Sequence, residues 1–297
     1  MNAVLAPALE QTAARSHAPT RLRVLCVDDE PCVTDGLARQ LHRHYEVLGA
    51  ASGAEGLEIL HREGDIAVIV SDMCMPTTDG ASFLRLARDI APDAARVVLS
   101  GHADTQSALE AINFGQVCAY LLKPCTVGAL LGAVNAAAGR YRVNAAQRLL
   151  LDAASQEEHL TLEAAFAQAV RIFGCRYAAL AIHDGCIWPP RRVLAHNLGT
   201  SLFQTPEPAP LLHALLRGDE REHRYHSPVP SPHPDLPGTH PLVRQLLGVP
   251  LTLAHQRGWL YFADARPSSS FTDDDAKAAA LLVRVCRDAW MHSRGRV

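Results

Sequence analysis

The chain has 297 residues, 48% hydrophobic and 20% charged, with a net charge of −3. That length suits about two domains with full-sized cores, and the near-neutral charge gives no bulk attraction to nucleic acid or an anionic membrane. No apolar run reaches the roughly 18 residues needed to span a bilayer, so neither direct nucleic-acid binding nor membrane association is expected.

Residues 1–20 lack the basic leader and sustained apolar stretch of a secretory signal and read as a flexible tail. The eight cysteines (26, 32, 74, 118, 125, 175, 186 and 286) form no CxxC pair. Their mostly apolar surroundings suit buried, reduced thiols in a cytoplasmic protein. Of the 28 basic residues 26 are arginine, the two lysines being Lys123 and Lys277. A compact ammonium is not equivalent to a guanidinium fork, and Lys123 stands out for that reason.

In chain order, residues 22–27 (LRVLCV) make a buried-strand run ending in Asp28-Asp29-Glu30. Pro31 suits the first turn of a helix that continues through Val33, Leu37 and Leu41. A short strand at 45–48 and a helix at 54–60 follow. The apolar run Ala67 to Ser71 is a third strand, ending on Asp72 before Met75-Pro76 and Asp79-Gly80 break it. Phe83, Leu84, Leu86 and Ile90 mark a helix, RVVLS a fourth strand ending at Ser100, and residues 105–114 a helix stopped by Gly115. VCAYLL is the fifth strand, ending in Lys123-Pro124, and a last helix starts near Thr126.

Five strand–helix units at short, regular spacing imply a doubly wound parallel sheet with right-handed crossovers. Asp28, Asp29, Asp72, Ser100 and Lys123 then share one rim, at the carboxyl ends of the strands, where open sheets of this kind bind ligands. Clustered carboxylates cannot all stay ionised without compensation. A few carboxylates plus water suit Mg²⁺, which also takes phosphate oxygens. A carboxylate can attack phosphorus to give an acyl phosphate, a step that needs positioning and cations around the equatorial oxygens. The alternative, that the acids cap helices and Lys123 is a surface charge, leaves the match of five residues to one chemistry unexplained.

VLCVDDEP, SDMCMPTTDG, VVLSGHAD and YLLKP together resemble the receiver domain of two-component response regulators, over residues 21–137. The resemblance implies a flavodoxin-like five-stranded fold with Asp72 as phosphoacceptor. It implies Mg²⁺ held by Asp29 and Asp72, with Asp28 and the backbone carbonyl of Cys74 contributing. Ser100 becomes the switch hydroxyl, Tyr120 the aromatic that rotates with it, and Lys123 the phosphate-pairing cation, followed by a cis peptide to Pro124. Cys74 and His102, each two residues beyond a site residue, are expected to tune the phosphoryl lifetime. The implied donor is a sensor histidine kinase or phosphotransfer protein.

From Val127 to Ala145, apolar residues recur at alternating spacings of four and three, giving a helical connector (138–159) that suits pairing with a second copy. Gly139 and a register break at Arg148 argue against a long rigid coiled coil. Downstream come a helix at 160–173, a strand at 177–182, a turn at Asp184-Gly185 and a strand at 186–188. A Pro-, His- and Arg-rich surface excursion over 205–241 carries a short helix at 211–216. Strands at 247–253 and 258–263 and a helix opened by Phe271-Thr272-Asp273-Asp274-Asp275 complete the chain. GVPLTL, RGWLYFAD and the final helix resemble a GAF domain over 160–293, which implies an α+β fold with an antiparallel sheet and a sensory or dimerising role. No ligand-contacting residue can be assigned there. His223, His226, His233 and His240 do not match a standard zinc spacing, and Cys175 and Cys186 suit packing inside.

The resulting expectation is a cytoplasmic, homodimeric response regulator without a separate catalytic output domain. One alternative is a GAF-based small-molecule sensor modulated by the receiver. Another is a Mg²⁺-dependent phosphohydrolase of the haloacid-dehalogenase type, from whose Asp-x-Asp pattern Asp28-x-Glu30 departs.

Overall fold

The computed structural model describes residues 21–75, 80–101, 117–155, 160–184, 190–198, 223–231, 243–252, 256–264 and 271–294. The chain divides into two compact units, one of residues 21–148 with 272–278 and one of residues 149–271 with 279–297.

In the first unit β1 (Arg23–Val27), β2 (Glu46–Ala50), β3 (Ile66–Ser71), β4 (Ala95–Ser100) and β5 (Val117–Leu122) form a parallel sheet in the order β2-β1-β3-β4-β5. This is the flavodoxin-like order, with its crossover reversal between β1 and β3. All six residues of β3 and of β4 are buried, so both faces of the sheet centre are covered. Helices α1 (Pro31–Leu41), α2 (Gly53–Glu63) and α3 (Gly80–Ile90) intervene. Leu25, Val27, Ile69 and Val98 on one face pack with Ile59 and Leu60 of α2 and Phe83 and Leu84 of α3. Gly80 has no room for a side chain, because a Cβ there would lie 2.2 Å from the Asp72 carbonyl oxygen. The start of α3 thus lies directly against the turn that follows β3, fixing where Asp72 sits. Ser52 starts α2 by accepting the Glu55 N–H, at 3.2 Å.

Helix α4 (Val127–Ser155) runs unbroken for 29 residues, so the register change at Arg148 is no break in the helix. The expected helix at 105–114 lies outside the described residues.

The second unit carries an antiparallel sheet of β6 (Tyr177–Asp184), β7 (Arg192–His196), β8 (His223–Ser231), β9 (Val243–Thr252) and β10 (Gln256–Asp264), in the order β7-β6-β10-β9-β8. It also holds α5 (Leu162–Phe173) and most of α6 (Asp273–Arg294). Thr161 caps α5 through the Ala164 N–H, and Gly174 ends it in the left-handed region. Phe173 of α5 stacks on Phe262 of β10, ring centroids 3.6 Å apart and planes parallel within 1°. The other sheet face gathers Ala179, Ala181, Val193, Leu246, Trp259, Tyr261 and Ala263.

Two strands here differ from the sequence expectation. The next strand after β6, paired with it, is Arg192–His196, and the strand placed at 186–188 lies outside the described residues. Within the excursion, 223–231 is a strand, not a surface loop, although it contains Pro228 and Pro230. It is an edge strand whose pairing with β9 shifts register between His226 and Ser231, and edges and bulges are where a sheet tolerates proline. The helix expected at 211–216 lies outside the described residues, as do residues 1–20. Among the described residues no helix is long and apolar enough to cross a membrane.

Candidate functional site

The backbone ladder runs one residue past three strand ends and so pins three of the predicted residues. Asp28 N–H donates to Ala50 O at 3.1 Å, Asp72 N–H to Val27 O at 2.9 Å, and Lys123 N–H to Ser100 O at 2.8 Å. Asp28 and Asp72 therefore flank the β1/β3 reversal, where the crossovers leave a crevice at the carboxyl rim. Lys123 Nζ reaches across, 2.6 Å from Asp28 Oδ2 and 3.3 Å from Asp72 Oδ1. Asp28 Oδ1 accepts the Glu30 N–H at 3.0 Å, so both oxygens of this carboxylate are engaged. Asp72 differs. Its Oδ1 is buried, lies within ion-pair reach of Lys123, and makes no directed hydrogen bond.

Burial pushes the Asp72 carboxyl above the ordinary carboxylate range; the Lys123 charge opposes the rise and the Asp28 charge adds to it. Burial on its own lowers the Lys123 ammonium, but the Asp28 hydrogen bond and the Asp72 and Asp28 charges outweigh it and raise the pKa. Two carboxylates thus hold one ammonium, with Asp28 taking the shorter bond.

Asp28, Asp29 and Asp72 each offer a carboxylate oxygen, all within 4.8 Å of one another, the only such group of three metal-ligating side chains among the described residues. Hard oxygen donors at this spacing fit a hard divalent cation. Asp72 Oδ1, buried and held only by a 3.3 Å ion pair to Lys123, is the kind of polar atom that a cation would satisfy further.

The structure therefore brings Asp28, Asp29, Asp72 and Lys123 together, with Ser100 buried at the end of the neighbouring strand. Tyr120 is half-buried against the first unit's core, and Cys74 is exposed just beyond Asp72. His102 lies outside the described residues. The Lys123-Pro124 peptide is cis. The seven described cysteines are free thiols, but Cys32, Cys74 and Cys118 are exposed, which corrects the expectation of mostly buried ones. The first turn of α1, the loop after β3 and the edge strand β5 carry them, and these offer no apolar cover. Three contributors escaped the sequence: the Glu30 N–H, the Ser71 hydroxyl that donates to Asp72 O at 2.9 Å, and the steric demand at Gly80. Only Gly80 left a trace, and as a strand breaker.

Residues 24–135 match the response regulator receiver domain profile. They form a receiver domain. The chain is 34% identical over 114 residues to the hydrogenase transcriptional regulatory protein HoxA of Cupriavidus necator, covering 38% of this chain and 23% of that protein. It is also 34% identical over 121 residues to the transcriptional regulatory protein GlrR of Escherichia coli, covering 40% and 26%. Among solved structures, one titled adenylate cyclase from Rhodopirellula baltica is 34% identical, with 44% of this chain and 98% of that chain covered at a TM-score of 0.43. The chain spans about a quarter of the length of these curated relatives.

Proposed function

We propose that the chain is a two-component response regulator whose Asp72 accepts a phosphoryl group from a phosphohistidine on a sensor kinase or phosphotransfer protein. The observation that carries this is the Asp72 oxygen, buried without a directed hydrogen bond, 3.3 Å from Lys123 and grouped with Asp28 and Asp29. An Asp72 oxygen attacks phosphorus, the P–O bond forms as the P–N bond breaks, and the leaving imidazole nitrogen takes up a proton. Lys123 turns from the carboxylates to the incoming phosphoryl oxygens. Asp29, Asp72 and the Cys74 carbonyl would hold Mg²⁺, with Asp28 beside them, and the ion when bound would supply positive charge to those oxygens. Asp28 suits the nucleophile role of a phosphohydrolase less well, because both its oxygens are engaged.

Ser100 and Tyr120 respond to the phosphoryl group as switch residues, while Cys74 and His102 set its lifetime by governing water access. Equal dephosphorylation rates in wild type and His102→Ala would remove His102 from that role. The domains run 21–137 for the receiver, 138–159 for the connector and 160–293 for a GAF-like module, in a cytoplasmic homodimer. The antiparallel sheet with its own helices and core supports the GAF-like assignment, and a small-molecule ligand of that module remains the natural second input. The deciding experiment is acetyl phosphate with Mg²⁺ on wild type and Asp72→Asn, reading intact mass and oligomeric state together. One added phosphoryl group in wild type and none in Asp72→Asn is the expected result; label on Asp28, or on both proteins, refutes the assignment.

A further inference from the structure

Residues 272–278, the first turn of α6 and its cap, belong to the same compact unit as the receiver. Arg142 of α4 holds them there, its Nη1 2.6 Å from Asp275 Oδ1, with side chains only 16% and 5% exposed. The other Asp275 oxygen accepts the Thr272 N–H at 2.7 Å and the Thr272 hydroxyl at 2.9 Å, while Thr272 Oγ1 accepts the Asp275 N–H at 3.3 Å. This is a reciprocal cap with an arginine bound to its outer face. Gly139, one turn back on α4, gives the cap room: a Cβ there would lie 3.3 Å from Thr272 Oγ1 and 3.4 Å from Asp274 Cβ.

The same stretch of α4 is tied to the approach to β4. Asn144 Nδ2 donates to the Asp93 carbonyl at 3.4 Å, and Arg148 Nη2 lies 2.6 Å from Asp93 Oδ2. Asp93 stands two residues before β4, whose far end is Ser100. Close-packed interiors transmit strain, which makes the wholly buried β4 the route by which a displacement at Ser100 would reach Asp93.

We propose that residues 139–148 of α4 form a charge clamp, Arg148 on Asp93 and Arg142 on Asp275, whose release of the α6 cap is the receiver's output. The release step rests on the reading of Asp72 as phosphoacceptor; the grip itself does not. Losing Arg142 leaves a buried carboxylate with only its cap partners, an uncompensated charge, but leaves the Thr272–Asp275 box whole. α6 continues from that cap to Arg294, so freeing its first turn changes the end of a helix that the second unit uses.

Hydrogen exchange on the full chain tests this, with peptides covering 139–155 and 271–290, before and after acetyl phosphate with Mg²⁺ and with phosphorylation read by mass in the same samples. Unphosphorylated Arg142→Gln exchanges about tenfold faster than wild type across 272–280, and phosphorylated wild type shifts the same amides the same way. Arg142→Lys, which keeps the charge, stays close to wild type, whereas loss of helix packing alone would affect it equally. Thr272→Ala speeds exchange with the arginine in place and marks the size of a cap effect. Unchanged exchange in Arg142→Gln overturns the grip, and unchanged exchange in phosphorylated wild type overturns the release. A chain that takes no phosphoryl group refutes the Asp72 reading and the release with it, and the grip is then judged by Arg142→Gln.

Discussion

The two sheets of this chain handle buried polar groups in different ways. In the parallel sheet Asp28, Asp72 and Ser100 are buried together at carboxyl ends of strands, with Lys123 between the two acids, while Asp93 and Arg96 are buried at the amino end of β4. In the antiparallel sheet strand ends alternate, and the buried polar groups are spread along it as His183, His196, Gln245, Gln256 and Asp264. Gln256 serves packing there. Trp290 Nε1 donates to Gln256 Oε1 at 2.8 Å, and Gln256 Nε2 donates to Asp184 Oδ1, a chain that ties α6 to the sheet. Parallel topology lines like strand ends along one rim, where Asp28, Asp72 and Lys123 meet, whereas antiparallel topology divides its buried polar groups between both ends of the sheet.

The largest test of this contrast is Phe262→Ala, which deletes the ring stacked on Phe173. It should cost about 3–5 kcal/mol of the second unit's stability, measured by denaturant unfolding with a reporter in each unit. Phosphoryl incorporation at Asp72 should persist; its loss would show that the scaffold sheet is needed for the rim chemistry.

Next in size is Lys123→Met, which removes the one ammonium shared by Asp28 and Asp72. Labelling by acetyl phosphate at saturating Mg²⁺ should slow by about 10²-fold or more, the usual effect of deleting a donor aimed at developing charge. A change under about threefold would mean that the carboxylates act without it.

Trp290→Phe should cost about 1–3 kcal/mol by leaving the buried Gln256 oxygen without that donor. A thermal melt reads this, and adding Gln256→Leu should recover part of the loss if the bond and not the ring is responsible.

The smallest effect is one of pH. Asp72 binds its proton more tightly in the folded chain than in the unfolded one. Its contribution to stability is therefore complete below the unfolded carboxylate value of about 4 and is lost as pH rises through the higher folded value. Asp72→Asn removes that loss, so its melting temperature should exceed wild type at pH 7 and do so by less near pH 4. Saturating Mg²⁺ should narrow the gap by stabilising wild type. A gap independent of pH would point to packing at Asp72 rather than ionisation.

Much of the receiver was legible because its signals are local. Apolar runs of five or six residues ending in an acid, a hydroxyl or a lysine mark both the strand and the rim position, and the parallel topology follows from their alternation with helices. The scaffold unit was harder. Residues 223–231 read as loop from their two prolines, and only a place at the sheet edge, with a register shift, makes them a strand. Residues 192–196 are too short and too flanked by arginine to stand out until β6 pairs with them.

The sequence alone determined which side chains meet at the carboxyl rim, because once strands are parallel their last residues have nowhere else to go. It did not determine how they divide the work there. That Lys123 bonds Asp28 more closely than Asp72, that Asp72 Oδ1 meets the ammonium only as a longer ion pair, and that Arg142 reaches Asp275 from 133 residues away are matters of a few ångströms. Tertiary packing sets distances on that scale, and no local pattern in the chain encodes them.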